Sequence, residues 1–264
     1  MPPLPFDMTA IWDPRHFENP PPPIKIGALP ISTNPMSGVP YPSWDNQAYL
    51  ATNILDCAIK APGTPYYTLS IKPCDTLFKD IFKYCHNLSI NLTDYYAYLT
   101  IHQGLAIKGS TFRRGGLHVD GFQGARVHPK VRGDFSFIII SAFPTYFYHQ
   151  SWKVSHLDIA TDNFFSHFEQ QVNTNPIQFS PGDIILCSPY TVHASPPITQ
   201  SVPRTFIRLT YSVRQFNRYG NTINYRLPTR FVYEARDVSS SLRNAPPITE
   251  GGDLGGSLLH KSTP

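Results

Sequence analysis

The sequence predicts a mainly β protein with flanking helices, its strands closing into a sandwich or barrel. Two observations carry this. From residue 96 to 213, short runs rich in aromatic and β-branched residues follow one another. Turn residues punctuate them: Gly115-Gly116, Pro144, Ser180-Pro181-Gly182 and Ser195-Pro196-Pro197. An apolar fraction of 41%, with 13% aromatics, lets the 264 residues build one sizeable core.

Taken in order, residues 1–42 hold 12 of the 27 prolines, including Pro20 to Pro23. Proline lacks a backbone donor, so extended chain wrapping the surface is expected there, with little sheet or helix. Ser43 or Asp45 is placed to cap a helix with Leu50, Ile54, Leu55, Ala58 and Ile59 on one face. Residues 66–71 read as a strand. Asp75 is placed to cap a second helix that turns Leu77, Phe78, Ile81, Phe82 and Cys85 inward.

Strands are expected at 96–103, 106–112, 116–120, 135–142, 146–149, 176–179, 183–187, 192–195 and 204–213. A short helix over 162–171 would set Phe164, Phe165 and Phe168 on one side. The expectation is one domain over 43–250, with its core at about 96–213 and a loose Gly- and Ser-rich tail at 251–264.

The charge of +4 is mildly basic, and only 15% of residues are charged. That is too little for a nucleic-acid groove, so nucleic acid is not expected as a partner. Cys57, Cys74, Cys85 and Cys187 show no C-x-x-C spacing and read as buried thiols of a reducing compartment. No basic start leads into an apolar run, and no apolar stretch reaches the roughly 18–20 residues of a membrane span. A cytoplasmic protein without a membrane partner is expected.

The chemistry centres on His118-Val119-Asp120. In an extended strand residues i and i+2 share a face, so this imidazole and carboxylate leave the backbone side by side. They are two thirds of a facial two-His, one-carboxylate metal site, and His193, 75 residues after His118, is expected to complete it. A second such pair, His156-Leu157-Asp158, competes. Three readable strands separate Asp120 from His193, enough to bring the two sites together in a barrel. Only one clear strand separates Asp158 from His193, so His156 is expected at the surface.

A second signal follows. Ser180-Pro181-Gly182-Asp183-Ile184-Ile185-Leu186-Cys187 turns tightly into a buried strand, and His193 lies on the strand after it. Eleven residues beyond His193 comes Arg204, then Arg208 and Thr210. Residues 204, 206, 208 and 210 share one strand face, so both guanidiniums would enter the barrel. A buried guanidinium calls for an anion, and its planar fork suits a carboxylate.

Together His118-Val119-Asp120, the 181–186 strand, His193 and Arg204 resemble the Fe(II)/2-oxoglutarate-dependent dioxygenase superfamily. Residues 182–212 are especially similar to its phytanoyl-CoA hydroxylase-like branch. The resemblance covers roughly residues 96–212. It implies a double-stranded β-helix, or jelly-roll, cupin-like core, with His118, Asp120 and His193 as iron ligands. It also implies 2-oxoglutarate and O2 as cosubstrates, with Arg204 pairing with the far carboxylate of the keto acid. Arg208 and Thr210 match the Arg-x-Ser/Thr element that holds that carboxylate in another branch, so both anchors stay open.

The implied activity is oxidation of an aliphatic C–H bond by hydroxylation, desaturation or ring closure, with succinate and CO2 released. Between residues 95 and 133 the basic residues are Lys108, Arg113, Arg114, Arg126, Lys130 and Arg132, against the single acid Asp120. With the spare arginine, they favour a small anionic substrate bearing a carboxylate, such as an amino acid in natural-product biosynthesis. Two alternatives stand beside it: a hydroxylase or demethylase of nucleic acid or protein side chains, and a non-catalytic cupin-like binding protein. Gln103, Phe122, Gln123, Tyr146, Tyr148 and Tyr190 are candidate pocket residues.

Overall fold

The computed structural model describes residues 7, 10–29, 53–64, 67, 72–87, 90–113, 115–120, 132–158, 162–216 and 220–227. Its ordered elements are a 3-10 turn Pro14–Glu18, β1 Ile24–Ala28, β2 Asn53–Lys60, α1 Lys72–Asn87, β3 Tyr96–Ala106 and β4 Phe135–Ile140. β5 Tyr146–Tyr148, α2 Phe164–Gln171, β6 Asp183–Cys187, β7 Val192–Ala194 and β8 Val202–Ser212 follow.

The strands form two sheets. The larger has the order β1-β6-β4-β8-β3-β2, and its pairs are antiparallel. The smaller joins β5 to β7. Antiparallel bridges extend it at both sides, from Phe147 to Ile177 and from His193 to His118. From β3 onward the chain visits large sheet, small (118), large (β4), small (β5 and 177), large (β6), small (β7), large (β8). Eight segments alternating between two antiparallel sheets make a jelly roll. β1 and β2 widen the large sheet at its two edges.

Strand period sorts the side chains. Ile138, Ile140, Ile185, Cys187 and Phe206 from the large sheet pack on Phe147 of the small one, forming the core between the sheets. The alternate residues Phe135, Phe137, Ile139, Ile184, Leu186, Ile207, Leu209 and Tyr211 face the other way, onto α1. α1 forms because Leu77, Phe78, Ile81 and Cys85 fall on one face at helical spacing. Phe82, expected inward, lies beside that stripe and is 46% exposed. The small sheet's outer residues Leu117, Val119, Val192 and Ala194 are covered by α2 and the N-terminal turn, through Trp12, Phe17, Trp152, Phe164, Phe165 and Phe168. Asn163 caps α2 by accepting from the backbone of Phe165 and Ser166.

Several expectations change. Residues 53–60 are a strand, not the second half of a helix: dense apolar residues fit either period, and the open edge of β3 is what decides. Ser43, Asp45 and Leu50 lie outside the described residues, as do 66–71 apart from Tyr67 and all of 251–264. Helix α1 begins at Lys72, so Asp75 lies inside it and not at its cap. β3 is one strand through Ala106, and residues 107–110 turn. The described part of the proline-rich segment carries the turn Pro14–Glu18 as well as extended chain and is integral to the fold: β1 pairs with β6, and Phe17 is fully buried. Cys57, Cys85 and Cys187 are free and buried, as expected. No helix among the described residues is long and apolar enough to cross a membrane.

Leu209 sits fully buried between the large sheet and α1. Leu209→Ala is expected to cost about 2–5 kcal/mol of stability in urea titration, because its close-packed neighbours cannot collapse into the gap.

Candidate metal centre

His118 and His193 face each other across a hydrogen-bonded antiparallel pair. His118 N donates to His193 O at 2.9 Å and His193 N donates to His118 O at 2.8 Å. Residues paired this way stand on the same face with their side chains adjacent. The two rings lie 4.5 Å apart between centroids, facing the inter-sheet core. Asp120 follows two residues after His118 and joins them. One donor atom from each of the three lies within 4.8 Å of the others. His193 Nε2 and Asp120 Oδ2 are 3.7 Å apart.

Each imidazole is oriented through its other nitrogen. His118 Nδ1 is 2.9 Å from Gly116 O, and His193 Nδ1 is 2.9 Å from Thr191 O. A carbonyl only accepts, so both Nδ1 atoms carry the proton and both Nε2 lone pairs are left for a metal. Phe165 packs edge-on to His118, and Phe147 packs against His193. Burial alone would favour the neutral carboxyl of Asp120, but the charge and hydrogen bond of Arg208 outweigh it and hold the group well below the usual carboxylate range. Two neutral nitrogen donors and one ionised oxygen donor fit a divalent iron-type ion with open positions.

His156 takes no part. It is exposed, and its ring lies near that of His167.

The two β8 arginines do point inward, and they meet different surroundings. Arg208 donates from one terminal nitrogen to Asp120 Oδ1 at 2.5 Å and from the other to Asp56 Oδ1 at 3.1 Å. Arg204 is 1% exposed. Its Nε donates to Ala142 O at 2.8 Å, a terminal nitrogen donates to Phe143 O at 3.0 Å, and its plane lies over the Phe112 ring. Its remaining terminal nitrogen, NH1, is buried and meets no hydrogen-bond partner among the described residues. Burial, with the Arg113 charge nearby, pulls this guanidinium down to about 9, so it stays charged at neutral pH. Thr210 bonds to Ser136 Oγ at 3.0 Å. Sequence reasoning foresaw the inward face but not the acid partners of Arg208.

The candidate pocket residues fare less well. Gln103 donates to Thr205 on the outer face of the large sheet. Tyr148 and Tyr190 belong to the cluster outside the small sheet, where the Tyr190 hydroxyl accepts from Asp13 N and its ring stacks on Trp12. Tyr146 shares the Tyr148 face of β5, opposite to Phe147. Phe122 and Gln123 lie outside the described residues.

Sequence reading missed His102, Phe112 and Asp56. His102 stacks on Phe112, and burial with the charges of Arg113 and Arg204 pushes it down to about 4, so it is neutral. The even numbering of His102 along β3 was the available signal for its inward aim.

No family model and no curated protein matches the chain. Solved structures do. AviO1 from Streptomyces viridochromogenes Tue57 aligns at 14% identity over 61% of this chain and 72% of its own, with a TM-score of 0.37. An oxidoreductase of the 2OG-Fe(II) oxygenase family from Burkholderia pseudomallei aligns at 14% identity over 62% and 68%, with a TM-score of 0.35. EvdMO1 aligns at 18% identity over 43% of this chain, with a TM-score of 0.30, and the match spans only 26% of EvdMO1. Likeness this shallow transfers no function, and the jelly-roll assignment stands on the strand order of this chain itself.

His118→Ala or His193→Ala is expected to remove most of the iron bound after anaerobic reconstitution, measured by metal analysis. His156→Ala is expected to keep it. Full iron in both ligand variants would dismiss this centre.

Proposed function

We propose that the chain is a non-haem Fe(II)/2-oxoglutarate-dependent oxygenase that oxidises an aliphatic C–H bond of a small molecule. One juxtaposition supports this above all. A two-His, one-carboxylate cluster and a buried arginine with an unanswered donor open onto the same inter-sheet interior. His118, Asp120 and His193 would hold the iron, and Arg204 NH1 would meet the far carboxylate of 2-oxoglutarate. Bound there with O2, iron and keto acid supply an oxidant strong enough for an unactivated C–H bond, with succinate and CO2 as coproducts.

The chain's own part is placement and exclusion of water. Gly116 and Thr191 carbonyls fix both imidazoles. Arg208 holds one oxygen of Asp120 and leaves the other toward His193. Ile138, Ile140, Phe147, Ile185 and Phe206 form an apolar floor that would keep water from the site.

Arg204 is the favoured cosubstrate anchor, because both terminal nitrogens of Arg208 already meet carboxylates and the Thr210 hydroxyl already meets Ser136. This also removes Arg208 as the second anion site that the sequence suggested. The reading of a carboxylate-bearing substrate, such as an amino acid in natural-product biosynthesis, now leans on Arg113. That guanidinium lies 4.2 Å over the Phe206 ring and acts electrostatically on both His102 and Arg204. The likeness of residues 182–212 to the phytanoyl-CoA hydroxylase-like branch belongs to the same proposal.

Substrate-stimulated succinate release, screened over amino acids and small acids and their methyl esters or amides, tests the activity and its acid preference. Turnover of the acid but not of its neutral analogue is expected. Stimulation by oligonucleotides or peptides alone would turn the reading toward macromolecules. Arg204→Ala is expected to lose about 2–5 kcal/mol of 2-oxoglutarate binding by calorimetry while iron stays bound, since it removes one partner of a buried charge pair.

A further inference from the structure

Asp56 has no place in the three-ligand centre, yet the chain goes to some length to aim it there. β2 pairs with β3 through Ile54↔Ile101 and then Cys57↔Leu99. Leu55 and Asp56 thus stand against the single Thr100, which is a β-bulge. Asp56 has a φ of 42°, in the left-handed region that costs a non-glycine residue free energy and that Asp tolerates better than most. Bulges of this kind redirect a side chain. Here the redirected carboxylate enters the interior, 6% exposed. Thr100 fixes it twice: its hydroxyl accepts from Asp56 N at 3.1 Å and donates to Asp56 Oδ1 at 3.1 Å. The same Oδ1 accepts from Arg208, whose other terminal nitrogen binds Asp120.

Charge gives this chain of contacts its purpose. Arg208 alone beside Asp120 would compete with a metal ion for the ligand's only negative charge. Asp56 supplies the counter-charge. With it the guanidinium is neutralised from behind, and Asp120 keeps its charge for the metal while its orientation stays fixed. Groups that orient and balance a metal ligand commonly change metal affinity by 10–100-fold when altered.

We infer that Asp56 is a positioning residue of the metal centre, holding and neutralising Arg208 so that Asp120 presents a fully charged Oδ2 to a divalent cation. The inference rests on the metal-centre reading proposed above, and the experiment separates the two.

Co(II) alone is titrated into the full chain and its visible absorbance followed, with the melting temperature of the metal-free protein recorded for each variant. Asp56→Asn is expected to weaken Co(II) binding about 10-fold or more. Adding Arg208→Gln to it removes the uncompensated cation and is expected to restore binding, a rescue that a purely structural role for Asp56 does not provide. Wild-type affinity in Asp56→Asn, or a double variant as weak as the single one, overturns the inference while the centre itself survives. Co(II) binding undiminished in His118→Ala overturns the centre instead. Should Asp56→Asn fail to fold, Thr100→Val loosens Asp56 without removing its charge. A smaller weakening is then expected, and wild-type affinity there counts against the inference.

Discussion

Two backbone hydrogen bonds between His118 and His193 hold the site together. They join residues 75 apart in sequence and set two imidazoles side by side. A slip of one residue in that pairing would put the two rings on opposite faces of the small sheet, because strand faces alternate. The register is held from outside. Leu117, Val119, Val192 and Ala194 flank the two histidines and bury themselves under α2 and the N-terminal turn. The wrapping of the small sheet by Trp12 and Phe17 is therefore part of how the centre is kept in line.

The interior handles positive charge in two ways. Arg208 is matched by two carboxylates, one of them the candidate ligand Asp120. Among the described residues, Arg204 is matched by backbone carbonyls and an aromatic face, with one donor left over. The described non-glycine residues with positive φ are Asp56 and Phe143. Each holds one of these arginines, Asp56 by its carboxylate and Phe143 by its carbonyl. Backbone strain tends to gather where a structure must hold a functional group in an unfavourable place. On the proposed reading, a balanced arginine beside the metal donors and an unbalanced one farther along the strand would divide the work of ligand alignment and anion capture.

Much of this was legible in the sequence because it depends on period and spacing. The same-face pair of His118 and Asp120, the distant His193 and the inward run of β8 all follow from alternation along strands. Helix α2, with three phenylalanines on one side, follows from helical spacing. What escaped depended on context. Residues 53–60 carry apolar residues at a spacing that suits helix or strand, and only the edge of β3 selects the strand. Asp56 points inward because of a bulge, which breaks the alternation that sequence reading relies on. Tyr190 and Gln103 looked like pocket residues by type, but strand parity and the N-terminal segment put them on outer faces.

On the proposed function, this jelly roll holds iron and 2-oxoglutarate together at one interior site. The most direct test is an anaerobic titration of the iron-loaded full chain with 2-oxoglutarate, followed by visible absorbance. A metal-to-ligand charge-transfer band is expected that grows with the keto acid and saturates at one equivalent per chain. A folded, iron-loaded protein that shows no such band at any keto-acid concentration would contradict it.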